Sequence, residues 1–111
     1  MTVSSAAVFR ALSDPTRRAI LDALRAGEQP VGRLARRFPV SRPAVSKHLR
    51  LLRDAGLVVE DKRGRQRVCR LDARPLAEVD DWLNGYRRFW QSNLRQLKRY
   101  VESGEADEPK A

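Results

Sequence analysis

The 111-residue chain has one cysteine, Cys69, and one histidine, His48, and each scarcity closes a class of function. A single thiol excludes an intramolecular disulfide and a multi-cysteine metal centre. A closed tetrahedral metal site needs about four nitrogen, sulfur or oxygen ligands. Cys69, His48 and scattered carboxylates offer no such cluster, so no metal and no cofactor is expected. The chain also lacks a glycine-rich phosphate loop and a recognisable paired-carboxylate motif, so no catalytic constellation can be assembled and an enzyme is not expected. Nowhere do about 18 uncharged apolar residues follow one another, which excludes a membrane-spanning helix. The opening MTVSSAAVFRALSD has no basic segment leading into an apolar run, and the expected location is the cytoplasm. Cys69, on a run of β-formers, reads as a small buried hydrophobe rather than a redox switch.

What the chain has in excess is positive charge. The formal net charge is +9 and the isoelectric point is near 11.0, against a hydrophobic fraction of 41% that suits a globular protein. The excess is local. From Gly32 to Pro75 there are 13 Lys and Arg against 4 Asp and Glu, whereas the remainder holds 10 of each. One segment thus carries the whole imbalance, and a polyanion is its natural partner.

Within that segment the stretch Ser41 to Gly56, SRPAVSKHLRLLRDAG, carries the strongest helix signals. Ser41 can cap the N-terminus, Pro43 is tolerated in the first turn, and Gly56 can close the C-terminus in a left-handed conformation. Val45, Leu49 and Leu52 recur at spacings of four and three and form the buried face. Arg42, Ser46, Lys47, Arg50 and Arg53 gather on the other side, with no carboxylate before Asp54. His48 neighbours Leu49 and is assigned a packing or capping role.

The elements before and after give this helix its setting. Val8, Phe9 and Leu12 mark a short amphipathic helix. Asp14 caps a second, Pro15 to about Ala26, whose inward stripe is Ile20, Leu21 and Leu24. Val31, Leu34, Ala35 and Phe38 mark a third, with Arg33, Arg36 and Arg37 opposite. Only a few residues separate it from Ser41, which makes a helix-turn-helix, although Pro39 and Val40 stand where a turn glycine is usual. Leu57 to Val59 and Val68 to Leu71 are β-formers around Arg63-Gly64-Arg65, a hairpin with a basic tip. Helix-turn-helix followed by hairpin is the winged-helix arrangement, in which the helix enters the major groove and the wing lies beside it.

From Pro75 to about Val101, Leu76, Val79, Leu83, Tyr86, Trp90, Leu94, Leu97 and Val101 step by threes and fours, with Trp82 and Phe89 broadening the stripe. Such a helix is roughly 40 Å long, more than a small core needs. The economical partner is the same helix of a second copy, which would offer two recognition helices to a palindromic site. An aromatic ligand pocket is the other reading of Trp82, Tyr86, Phe89 and Trp90. The tail from residue 102 to 111 is polar and acidic and is expected to be disordered.

Taken together, Phe9 to Leu21 (FRALSDPTRRAIL), Ser41 to Leu52 (SRPAVSKHLRLL) and Ala55 to Val58 (AGLV) resemble the ArsR family of bacterial winged-helix repressors. The long closing helix with Trp82-Leu83 and Tyr86 to Trp90 resembles its metal-independent, SdpR-like branch. The resemblance implies a mainly α fold with a small β-hairpin, in the order α-α-α-α-β-β-α, over residues 1–101, with residues 75–101 as a dimerisation helix. It implies a homodimer packed through the first and last helices, here Val8, Phe9 and Leu12 with Leu83, Tyr86, Trp90, Leu94 and Leu97. It also implies double-stranded DNA as partner, an inverted-repeat operator, with Ser41, Arg42, Pro43, Ser46 and Lys47 touching it. Arg50 is added on geometry, one turn beyond Ser46 and Lys47, and Arg63 and Arg65 from the wing. The departure from metal-sensing members is Val31 to Ala35, VGRLA, in the region where those carry a cysteine-bearing motif. No residue pattern specifies an effector, small molecule or protein.

Three other functions compete. A protein-interaction module would use the aromatic last helix and keep a vestigial DNA surface, but a vestigial surface gives no reason for the concentrated charge. RNA readers stack bases on aromatics within the binding face, and here the aromatics lie away from the basic segment. The enzyme reading fails on composition.

Overall fold

The structure, a computed structural model, describes residues 4–104. Five helices and three strands follow one another as α1 (Ser4–Leu12), α2 (Pro15–Leu24), β1 (Gln29–Pro30), α3 (Val31–Ala35), α4 (Arg42–Asp54), β2 (Val58–Arg63), β3 (Gln66–Leu71) and α5 (Leu76–Glu102). The chain divides into two units, Met1–Val79 and Asp80–Ala111. No helix among the described residues is long and apolar enough to cross a membrane.

The first unit is built by local signals that the sequence carries openly. Asp14 caps α2, its carboxylate accepting from the Arg17 amide at 3.0 Å. That hydrogen bond is the main reason its carboxyl pKa is lowered. Ser41 caps α4 through the Ala44 amide at 3.2 Å. At the far end of α4, Gly56 turns left-handed at φ +77°, the Gly56 amide donates to the Arg53 carbonyl and the Leu57 amide to the Leu52 carbonyl. These two bonds form a Schellman ending, and they deliver Leu57 directly into the core.

That core joins Val8 and Ala11 of α1, Ile20 and Leu24 of α2, and Leu34 of α3 to Val45, Leu49 and Leu52 of α4. Leu57, Val58 and Cys69 close it from the sheet side. Each large side chain so buried contributes roughly 1.5–3 kcal/mol. Leu76 and Val79, at the start of α5, pack partly buried on the same cluster. Val8 is fully buried here, so the sequence assignment of Val8 to a dimer interface is corrected: it faces its own chain's core. Phe9 and Leu12 retain exposure.

The hairpin is tight. Arg63 pairs with Gln66, leaving Gly64 and Arg65 as a two-residue loop, with Gly64 at φ +62° and no positive φ at Arg65. A positive angle at the first central position alone is the type II′ pattern. The expected two-stranded wing gains a third strand: β1 pairs antiparallel with β3, Gln29 opposite Cys69 and Pro30 opposite Val68, giving the order β1-β3-β2. A two-residue strand ending in proline has no periodicity to reveal it. Helix α3 is also shorter than Val31 to Phe38, because after Ala35 the amides of Arg37 and Phe38 bond back three residues instead of four. Likewise α2 ends at Leu24 rather than Ala26.

The second unit is the remainder of α5, in which no residue is buried. Trp82, Tyr86, Phe89, Trp90, Leu94, Leu97 and Val101 are all exposed, and the Trp82 and Tyr86 rings lie 5.1 Å apart, tilted by 60°. Arg87 is held by Asp80 and Asn84 of the same helix. Helix α5 runs to Glu102, and the expected tail lies, from residue 105 onward, outside the described residues.

Candidate nucleic-acid interface

Burial of Val45, Leu49 and Leu52 fixes which side of α4 meets water. Ser41, Arg42, Pro43, Ser46, Lys47, Arg50 and Arg53 are all on the exposed side, as the spacing predicts. Pro43, Ser46, Lys47, Arg50 and Arg53 line one shallow depression, so four of the eight expected contact residues share a continuous surface. Ser46 is the smallest side chain among these lining residues.

Three of the segment's four carboxylates pair with arginines other than Arg42, Lys47 and Arg50. Glu60 on β2 takes Arg53 at 2.5 Å and Arg67 at 3.6 Å, which ties the end of α4 to the wing. Asp61 takes Arg70 at 3.5 Å. Asp72 takes Arg74, whose guanidinium and amide hold its carboxyl down to about 2. Among the described residues, Arg42, Lys47, Arg50, Lys62 and Arg65 have no ion pair. Within the basic segment the unpaired charge therefore lies on α4, at the wing tip, and at Arg33, Arg36 and Arg37 on and just after α3.

Arg63 does not belong with them. Its guanidinium forks onto Glu28, with Nη1 2.5 Å and Nη2 2.9 Å from the two carboxylate oxygens. A bidentate pair of this kind holds the side chain toward the β1 edge. Arg63 stays about half exposed, so the pair with Glu28 competes with a phosphate contact without excluding one, whereas Arg65 at the loop has no ion pair among the described residues. The Arg63 partner lies 35 residues away, and no local pattern announces it.

His48 has the packing role expected of it. It is half-buried, and its Nδ1 lies 3.3 Å from Nη1 of Arg17. A guanidinium can only donate, so Nδ1 is the acceptor in this contact. Arg17 is itself buried, at 9% exposure, and sequence reasoning missed it. Its Nε donates to the Ala11 carbonyl at 2.8 Å and its Nη2 to the Arg10 carbonyl at 3.0 Å. One guanidinium thus ends α1, roots α2 and touches the recognition helix. Cys69 is fully buried, and burial together with the nearby Glu60 raises its thiol to about 11. Among the described residues no three His, Cys, Asp or Glu side chains gather as a metal site would require.

Comparison with known proteins matches this geometry. Residues 12–61 match a helix-turn-helix domain family. The HTH-type transcriptional regulator Rv2034 of Mycobacterium tuberculosis is 44% identical over 95 residues, covering 86% of each chain. The transcriptional repressor SdpR of Bacillus subtilis is 37% identical over 76 residues, covering 68% of this chain and 84% of its own. In three dimensions the ArsR family transcriptional regulator RHA00566 superposes with a TM-score of 0.71 at 37% identity, over 80% of this chain and 92% of that one. With recognition helix, wing and relatives in agreement, the chain belongs to the ArsR family of winged helix-turn-helix transcriptional regulators.

Proposed function

We propose that the protein is a cytoplasmic, dimeric, sequence-specific DNA-binding repressor that acts by occupying promoter DNA, without metal, cofactor or catalysis. The observation that carries this reading is the unpaired cationic face of α4. Arg42, Lys47 and Arg50 are exposed beside the small Ser46 and have no ion pair among the described residues, while Glu60, Asp61 and Asp72 pair with other arginines. In this reading Arg42, in the first turn, reaches the O6 and N7 of a guanine, and Lys47, Arg50 and Arg65 hold phosphates.

Dimerisation follows from α5. Seven large apolar side chains on one helix stand exposed, more than an isolated soluble chain tolerates as a contiguous face. A second copy covers them and doubles the recognition helix across an inverted repeat. The repressor named SdpR among the relatives supports repression, and the absence of a cysteine from Val31 to Ala35 supports independence from metal.

A gel-shift titration against the protein's own upstream DNA, with unrelated DNA of equal length as competitor, tests the reading. A discrete complex surviving competition near physiological salt is the expected result, with two protected half-sites about one helical turn apart. Smeared, salt-labile binding with no preference between the two DNAs would refute operator recognition.

A further inference from the structure

Beside the recognition helix, α3, the first turns of α4 and the wing enclose an open cleft of about 500 Å³. Arg33 of α3 and Arg36 just past its end stand on one side, Arg65 and Arg67 of the wing on the other, and Arg42 reaches in from α4. No carboxylate lines it. Ser46 and Gln66 add uncharged donors. Among the described residues Arg33, Arg36, Arg42 and Arg65 have no ion pair, and Arg67 has only the 3.6 Å contact to Glu60.

Gly32 lines the cleft without a side chain. A Cβ built on Gly32 would lie 3.8 Å and 3.9 Å from the two terminal nitrogens of Arg42, so any larger side chain there occupies the space itself. The pairing of β1 with β3 holds the start of α3 against the wing and sets the cleft's width. Five guanidinium groups around one cavity repel one another, and the folded chain gains nothing from that arrangement alone. An anion lying between them relieves the repulsion and accepts several charge-assisted hydrogen bonds.

We propose that this cleft is a phosphate clamp for the DNA backbone, and that Arg33 on α3 and Arg36 at its C-terminal cap are phosphate-holding residues of the interface. The clamp rests on the DNA-binding reading. A strand whose bases face α4 carries its phosphates past the mouth between α3 and the wing, where α3 and wing arginines grip it from both sides. Such contacts carry no sequence information and fix register.

The test measures affinity for a preferred and an unrelated duplex across a salt series, for the full chain, for Arg33→Ala/Arg36→Ala, for Gly32→Leu and for Gly32→Ala. Circular dichroism melts check that each variant is folded. The double variant removes four arginines from the bound dimer and is expected to bind both duplexes at least about tenfold more weakly near 0.15 M salt, with an unchanged ratio between them and a log–log salt slope shallower by about 3.6. Gly32→Leu keeps every charge and fills the floor, so it too loses affinity, whereas Gly32→Ala retains it. A folded double variant with wild-type slope overturns the clamp while leaving DNA recognition standing. A wild-type chain that binds no duplex overturns both. Pyrophosphate that raises the wild-type melting temperature at micromolar concentration, while the double variant keeps full DNA affinity, assigns the cleft to a free phosphorylated ligand and also overturns it.

Discussion

Arg17→Ala is expected to be the most damaging single change to a charged residue in the first unit. The guanidinium is buried at 9% exposure and is shared among three helices. The last carbonyls of α1 have no partner within that helix, as at any helix C-terminus. The Arg10 carbonyl also receives the Ser13 amide at 3.2 Å and the Ser13 hydroxyl at 2.6 Å, so it survives the loss. The Ala11 carbonyl depends on Nε of Arg17 at 2.8 Å. Truncation therefore removes two charge-assisted hydrogen bonds, orphans one buried acceptor and leaves His48 Nδ1 without its donor. A hydrogen bond to a charged group contributes roughly 1.5–3 kcal/mol, and the changes here are not additive, so the expected loss is about 3 kcal/mol. For a domain of this size that corresponds to a fall in melting temperature of roughly 12–24 °C. The assay is thermal unfolding by circular dichroism at fixed protein concentration, because association would shift the midpoint. Arg17→Lys, whose single ammonium cannot serve both carbonyls and the imidazole, should recover only part of the loss. A change below about 0.5 kcal/mol in Arg17→Ala would refute the three-helix junction and place Arg17 among ordinary surface residues.

On the DNA side, Arg42→Ala is expected to relax base preference at one position per half-site, and Arg65→Ala to weaken all sequences alike. Identical specificity profiles for the two variants in a binding-site selection would remove the division between base reading and phosphate contact. The Asp72 carboxyl, held down to about 2 by Arg74 and so well below the ordinary aspartate value of 3.8, contributes stability that is fully present above about pH 4 and is lost as the pH falls toward 2. Asp72→Asn should flatten the stability profile in that window and nowhere else, and an unchanged acid limb would count against the pair. With its thiol raised to about 11 and no exposed surface, Cys69 should react with a thiol reagent at neutral pH only as fast as the chain unfolds. Rapid stoichiometric labelling of the native protein would contradict its burial. Trp90→Glu, on the exposed face of α5, is expected to convert a dimer to a monomer in sedimentation velocity while the first unit's unfolding persists. A dimer retained by that variant would move the interface elsewhere.

The elements that could be read in advance are those whose signals act over a few residues. Caps at Asp14 and Ser41, the glycines at 56 and 64, and the spacing of Val45, Leu49 and Leu52 are set by local hydrogen bonding and backbone sterics, so α4 and the wing follow from them. The face of α4 that meets water follows too, because the apolar spacing leaves Arg42, Ser46, Lys47 and Arg50 only one side. Pairings across long separations could not be read. Nothing near Arg63 marks Glu28 as its partner, nothing in Gln29–Pro30 marks a strand, and Val8 at a helix's apolar edge reads the same whether it meets its own core or another chain.

By itself the sequence determined the order of the five helices and the hairpin, the recognition helix and its outward charge, since these depend on residue types a turn or two apart. Tertiary structure alone decided which arginines keep their charge free. That outcome depends on which carboxylates the fold brings within about 4 Å, and Coulombic pairing at that range is set by the packing of distant segments rather than by neighbours in the chain. It is why Arg65 stands open at the wing while Arg63 pairs with Glu28, and why Arg33, Arg36 and Arg42 come to share one cleft.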